Sequence, residues 1–220
     1  MTVRLYLLRH ADVESHRGDV PITPDGETRA VAVGHRLAQR EPTPIRVLSG
    51  DTKRTMDTAA HIALGMRQAD ADVADPPIAF ALRNPDLYLG GVRVDLVSTA
   101  ETFAGQVDDI SPADVAAHPF FAPYLRSPDR IGHWLEHPDP PGETAVMVAG
   151  RFRAFAASLA DGSGGASRAV VAVTHSPLIR AVALDLCGKD IGEPPFVSGL
   201  LLEVRPGGAI SADLFGAEET

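Results

Sequence analysis

Ala169-Val170-Val171-Ala172-Val173-Thr174 is the stretch whose reading decides the fold. Six consecutive small, apolar or β-branched residues, with no polar alternation, describe a strand buried on both faces. Such strands lie in sheets covered by helices on either side. A helix is expected at once, from Pro177 to Cys187, closed by Gly188. Working back, Thr144 to Leu159 has helical spacing, and Asp161-Gly162-Ser163-Gly164-Gly165 reads as a loop. At the other end of the chain Val3 to Leu8 is a second buried strand. Thr23-Pro24 then marks a helix start, a capping hydroxyl before a proline. Ala30, Val31, Val33, Leu37 and Ala38 continue that helix, and Pro42 and Pro44 bar its extension. Ile45 to Ser49 is a further strand. Asp51 or Thr52 can cap a helix running to about Leu64, closed by Gly65. Pro77 to Leu82 reads as a third strand of the same kind. Val197 to Val204 and Ala209 to Leu214 read as strands joined across Pro206-Gly207-Gly208.

Strands alternating with helices define an α/β protein. The expectation is a three-layer α/β/α sandwich with a mostly parallel central sheet. From about 83 to 141 the pattern turns irregular and proline-rich, which we read as a helical insertion. At 220 residues the chain fits one domain, 1–220, carrying that insertion. The Gly-rich loop at 162–165 has no nucleotide-binding spacing.

Composition narrows the function. Twenty basic against 29 acidic residues give a net charge of −9, which argues against a nucleic-acid binder. A small anionic substrate stays open, because a few arginines can create a local cationic spot in an acidic protein. The single cysteine, Cys187, excludes an internal disulfide and a cysteine zinc cluster, and it is expected in the core of the last helix. His133 and His137 have the i, i+4 spacing of metal ligands, but no partner group is evident, so no metal is expected. No stretch approaches 18 apolar residues, so no membrane partner is expected. The apolar run Leu5 to Leu8 ends at Arg9-His10 without a cleavage site, and a cytoplasmic location is expected. Oligomeric state has no readable signal.

Three places carry chemistry, and each lies just after a strand, where ligands bind in open α/β sheets. Arg9-His10 follows the first strand, Arg54 opens the helix after the second, and His175 follows Ala169–Thr174. Parallel neighbours would bring two arginines and two histidines to one spot. Guanidinium forks match phosphate oxygens and stay charged at any working pH. A neutral imidazole can attack phosphorus. Helix N-termini at Arg54 and Ser176-Pro177 add backbone donors for an anion.

At these residues the sequence resembles the histidine phosphatase superfamily, the phosphoglycerate-mutase-like proteins. Leu8-Arg9-His10-Ala11 is similar to its Arg-His-Gly signature, and Ile22-Thr23-Pro24-Asp25-Gly26-Glu27 to its Leu-Thr-x-x-Gly helix start. Ser49-Gly50-Asp51-Thr52-Lys53-Arg54, with Thr58-Ala59, resembles Ser-Ser-Asp-Leu-x-Arg and the Thr-Ala after it. Gly142-Glu143-Thr144 resembles Gly-Glu-Ser, and Val173-Thr174-His175-Ser176, with Ile179-Arg180, resembles the Thr-His-Gly segment.

The resemblance implies a metal-independent phosphomonoester hydrolase, needing no cofactor, that acts on a small phosphorylated metabolite. His10 would be phosphorylated in turnover, and Arg9, Arg54 and His175 would hold the phosphoryl oxygens. His16, where many relatives carry an asparagine, and Thr23, Ser176 and Glu101 are expected at the substrate. Ala11 and Ser176 replace common glycines. Many relatives supply the leaving-group proton from a glutamate, whose nearest match here is Asn84, which cannot act as an acid. Asp86, two residues on, is therefore the expected acid, with Glu101 second. Two other functions remain open: a phosphomutase, and a non-catalytic phosphate-binding or scaffold protein. The aromatic residues Phe103, Phe120, Phe121, Tyr124 and Trp134 could line a substrate pocket, but are expected to pack the insertion against the sheet.

Overall fold

The computed structural model describes residues 1–15, 18–41, 44–161 and 168–216. In chain order these are β1 (Val3–Arg9), α1 (Pro24–Arg40), β2 (Ile45–Ser49) and α2 (Lys53–Gln68). The insertion contributes β3 (Leu87–Leu89), β4 (Val92–Val94), α3 (Ala100–Ala104), α4 (Pro112–Ala117), α5 (Phe121–Arg126) and α6 (Arg130–Glu136). Then come α7 (Ala145–Ala160), β5 (Ala169–Thr174), α8 (Ser176–Cys187), β6 (Gly199–Val204) and β7 (Ile210–Phe215).

The main sheet runs β2-β5-β1-β6-β7. β5 is buried along its whole length and sits between β2 and β1, parallel to both. Successive side chains of β1 and β5 enter opposite cores. Leu5, Leu7, Val170 and Ala172 pack with α7, α8 and the insertion. Tyr6, Leu8, Val171 and Val173 pack with α1 and α2. These are the three layers the pattern called for, and alternation across a strand explains how one apolar run serves both.

The expectation of a mostly parallel sheet holds for one half only. β6 pairs antiparallel with β1, and β7 antiparallel with β6. β6 and β7 form a hairpin over 205–209, with no crossover helix between them. After α8 the chain climbs back to the end of β1, where Val197 donates its amide to the Arg9 carbonyl, so β6 must descend. The third expected strand, Pro77–Leu82, is not a strand. Ser49 exchanges backbone hydrogen bonds with Pro77 and Ala79 at its start, and the chain then tightens into a 3-10 turn at Phe80–Leu82. Pro77 has no amide for a ladder, and the Leu82 carbonyl accepts from Thr174 Oγ1 at 2.6 Å.

Gly65 does not end its helix. It lies inside α2 against the backbone of Val31, while Gly34 of α1 lies against the backbone of Ile62. A Cβ at either would overlap a carbonyl oxygen, so the two glycines set how closely the helices approach. Gly188 closes α8 in the left-handed conformation, φ 66°, as its place in the sequence implied. Cys187 is exposed rather than in the core, because it falls on the outer face of the last turn. Pro42 and the loop 162–165 lie outside the described residues.

The insertion is a two-stranded hairpin followed by four short helices, not helices alone. Phe103, Phe120, Phe121 and Trp134 are buried in the core it shares with the sheet, as expected, and Trp134 Nε1 donates to the Glu143 carbonyl at 2.9 Å.

Candidate active site

Register places the chemistry. Arg9 stands opposite Thr174, and Ser49 opposite Val173, so β1, β2 and β5 end together. The residues immediately after them open onto one cavity of about 610 Å³. Arg9, His10, Arg54, His175 and Ser176 all line it. The sequence-predicted core of the site is therefore brought together, at the carboxyl end of the three parallel strands.

His10 is 3% exposed. Its backbone amide donates to the Thr174 carbonyl at 2.9 Å, which ties it to β5. Its Nδ1 lies 2.8 Å from the Ala11 carbonyl oxygen. A carbonyl only accepts, so Nδ1 carries the proton, and the neutral ring keeps its lone pair on Nε2. The His175 ring stands 5.4 Å away, centroid to centroid, edge to face. His175 caps α8 and its Nε2 lies 3.3 Å from Thr52 Oγ1. Thr58 explains the Thr-Ala element of the motif. Its hydroxyl donates to the Arg54 carbonyl at 2.6 Å and accepts from the Ala11 amide at 2.9 Å, locking the turn after His10 onto α2.

The two arginines are buried, each 8% exposed. Arg9 donates to the Pro194 carbonyl at 2.7 Å, pairs with Glu193 at 2.8 Å and lies over the Phe196 ring at 4.1 Å. Arg54 has Asp19 at 3.9 Å, beyond a direct hydrogen bond. The Nε atoms of both are buried with no acceptor among the described residues. Burial lowers the pKa of both, and Glu193 and Asp19 respectively work against that shift. Buried donors without acceptors are costly unless an anion takes them. Arg130 and Arg180 also line the cavity, against Asp129 and Glu193 as its carboxylates. In a chain of net charge −9 this is a local field of opposite sign.

Three other expectations meet a different structure. Asp86 is not among the cavity residues. It lies between Arg83, at 3.0 Å, and Arg93, at 2.6 Å, on the insertion side. Burial pushes its pKa up, but the hydrogen bonds from the two arginines outweigh that and hold it below the ordinary value. A carboxyl so held is a structural anion, not a proton donor at neutral pH. Glu101 stands exposed on α3, outside the cavity lining. Thr23 is the N-cap of α1, accepting from the Gly26 amide at 3.1 Å, and is likewise not at the cavity. His16 lies outside the described residues. Asn84 does line the cavity, buried, with its Oδ1 unpartnered.

The Asp86 geometry makes a prediction. Asp86→Asn is expected to leave the rates on alkyl and aryl phosphates within a few-fold of the parent. It should cost about 1–2 kcal/mol of stability, as expected for losing charge-assisted hydrogen bonds in a half-buried place. Because the folded pKa is lowered, the stabilisation is complete above the ordinary carboxylate pKa and fades as pH falls through the depressed one. Melting curves from pH 7 down to 2 should show parent and variant converging; a selective loss on alkyl phosphates would return the acid role to Asp86.

Of the residues that close the cavity from the insertion and the last loop, the sequence reading weighed Tyr124 alone as pocket-lining and missed the rest. Tyr124, Asp129, Arg130 and Ile131 come from α5, α6 and their junction, and Glu193 from the climb after α8. Arg180 is 1% exposed; it donates to both Asp129 oxygens, at 2.7 and 2.6 Å, and to Asp190 at 2.6 Å. That pairing pushes Asp129 down to about 2 and straps α6 to α8. Arg180 sits in the motif after His175, and its full burial in an apolar helix was the one available signal. Among the described residues no three His, Cys, Asp or Glu side chains gather as a metal site requires, and no helix is long and apolar enough to cross a membrane.

This arrangement matches a known class. The family model of the histidine phosphatase superfamily (branch 1) matches residues 5–74 and 105–198. The chain belongs to that superfamily. Among curated proteins it is similar to a broad-specificity phosphatase of Saccharomyces cerevisiae, 27% identical over 109 residues, which is 46% of this chain. That match spans under half, 45%, of the yeast protein. Among solved structures, mycobacterial glucosyl-3-phosphoglycerate phosphatase superposes with TM-score 0.62 at 23% identity, over 99% of this chain and all of that one. A phosphoserine phosphatase from Entamoeba histolytica, solved with phosphoserine, superposes with TM-score 0.60 at 16% identity, over 98% of each chain. At these identities the superpositions establish the fold.

Proposed function

We propose that the protein is a metal-independent phosphomonoester hydrolase that acts on a small phosphorylated metabolite through a phosphohistidine on His10. One observation carries the reading. Two buried arginines, whose Nε atoms have no acceptor among the described residues, share one cavity with a histidine whose Nδ1 donates to the Ala11 carbonyl, which makes Nε2 the ring's nucleophilic nitrogen. Arg9, Arg54 and His175 hold the phosphoryl oxygens and meet the charge that develops on them. His10 Nε2 attacks phosphorus, and the bond to the leaving oxygen breaks as that oxygen takes a proton. Water then attacks the phosphohistidine, releasing phosphate and restoring His10. The cationic side chains supply the charge stabilisation that divalent ions give other phosphoryl-transfer enzymes.

The superfamily membership supports this reading, as does the word phosphatase in the names of its relatives. A cavity of about 610 Å³ suits a metabolite-sized ligand. Release of inorganic phosphate from a panel of phosphorylated metabolites, in the presence of a chelator, tests it. Turnover of at least one small phosphomonoester is expected. Phosphate binding without turnover of any would leave a phosphate-binding protein instead, and transfer only to a second hydroxyl would make it a mutase.

A further inference from the structure

The leaving oxygen needs a proton, and Asn84, buried at the cavity, carries no acidic one to give. Asp86 is held ionised by Arg83 and Arg93, away from the cavity. The described cavity lining contains two carboxylates, Asp129 and Glu193. Asp129 is pushed down to about 2, first by its hydrogen bonds to Arg180, and both its oxygens are taken by that guanidinium. Tyr124 also lines the cavity, where burial pushes its phenol pKa up, and no hydrogen bond ties its hydroxyl to an acid among the described residues. Glu193 remains, and it is not alone. Ser176 Oγ donates to Glu193 Oε2 at 2.5 Å. Ser176 is 5% exposed, opens α8 directly after His175, and lines the cavity with it.

We infer that Ser176 and Glu193 form the proton relay of the reaction: Ser176 faces the leaving oxygen, and Glu193 supplies and recovers the proton behind it. The inference rests on the hydrolase reading given above. In the first step His10 Nε2 forms the bond to phosphorus, and the phosphorus–oxygen bond breaks with its electron pair passing to the leaving oxygen. That oxygen takes the Ser176 hydroxyl proton, while the Ser176 oxygen takes the carboxyl proton of Glu193. In the second step the oxygen of water attacks phosphorus and the nitrogen–phosphorus pair returns to His10. The proton of the water passes to Ser176, whose own proton passes to Glu193. The sum is ester plus water giving alcohol plus phosphate, with every side chain restored.

Two arginines face Glu193. Arg9 pairs with its Oε1 at 2.8 Å, and Arg180 stands at 3.9 Å from its Oε2. A bound phosphate dianion would compete for the same Arg9 guanidinium, so the substrate and Glu193 share one arginine.

The test separates proton donation from mere positioning of Arg9. Glu193→Gln and Ser176→Ala are assayed on glycerol 2-phosphate, whose alkoxide needs a proton, and on p-nitrophenyl phosphate, whose leaving group needs little. For each variant a loss of about a hundredfold or more in kcat is expected on the alkyl ester, a typical general-acid contribution, with a loss under about tenfold on the aryl ester. Across a series of aryl phosphates the dependence of rate on leaving-group pKa should steepen. Ser176→Thr, which keeps a hydroxyl, should recover most of the Ser176→Ala loss. Inhibition by inorganic phosphate reports whether each variant keeps its folded site. Equal losses on both substrates would assign Glu193 to holding Arg9 and overturn the relay, as would unchanged rates on both. If the unsubstituted protein turns over neither ester yet binds phosphate, the hydrolase reading falls, and the relay with it.

Discussion

His10→Ala is expected to lower turnover by several orders of magnitude while the protein still folds. The ring donates from Nδ1 to the Ala11 carbonyl and meets the His175 and Phe196 rings, centroids 5.4 and 5.8 Å away. The strand it follows is held by backbone ladders on both sides, and these survive the substitution. Truncation of a buried side chain of this size costs on the order of 1–3 kcal/mol, within the reserve of a domain of this length. The chemical loss is of another order. Without the Nε2 lone pair no covalent intermediate forms, and the arginines can only bind the ester. Removal of a nucleophile that acts with its neighbours as a unit costs nearly the whole catalytic advantage. Retention of more than about a tenth of the parent kcat, in a variant with an unchanged circular dichroism spectrum, would remove His10 from the role.

Arg54→Lys should also be severe although it preserves charge. Arg54 is 8% exposed at the first turn of α2, and its nearest carboxylate, Asp19, is 3.9 Å away. Its planar fork can give two parallel bonds to a phosphoryl group, whereas lysine brings a single, strongly hydrated point charge on a shorter reach. The expected loss of transition-state stabilisation is about 2 kcal/mol or more, which is roughly thirtyfold in kcat/KM. Aryl and alkyl phosphates should suffer alike, because the interaction is with the phosphoryl group that both share. This distinguishes Arg54 from the proposed relay, where the leaving group decides the effect. Parent kinetics in Arg54→Lys would show that its guanidinium does not touch the phosphoryl group.

The legible parts of the sequence are those governed by local physics. β5 was readable because burial on both faces leaves no polar residue between Ala169 and Thr174. Arg9, His10, Arg54 and His175 were readable because each comes at or just after a strand end, and parallel strands that end together deliver their next residues to one place. The antiparallel half was less legible. The Pro206-Gly207-Gly208 turn announced the hairpin, but nothing in Lys189 to Ser198 states that the chain climbs back before pairing with β1. Glu193 is carried on that climb, so its approach to Ser176, 17 residues earlier, is a tertiary fact with no periodic trace. Arg180 and Asp129, 51 residues apart, are a second such pair. Asp86 shows the reverse error. Nearness to Asn84 along the chain implied nearness to the cavity, yet the Asp86 carboxylate meets Arg83 and Arg93 while Asn84 faces inward. Pro77–Leu82 misled because an apolar run of six is equally a strand or a buried turn, and only the demand of Thr174 Oγ1 for the Leu82 carbonyl decides.

The central claim is a covalent phosphohistidine, and one measurement addresses it directly. The protein is mixed with a 32P-labelled phosphomonoester that it turns over, quenched in alkali within milliseconds, and digested for peptide mapping. Phosphoramidate bonds survive alkali and break in acid. The account predicts alkali-stable, acid-labile label on the peptide containing His10, reached in a burst before steady-state phosphate release and absent from His10→Ala. Turnover with no label on the protein at any time, or label on a peptide that lacks His10, would contradict it.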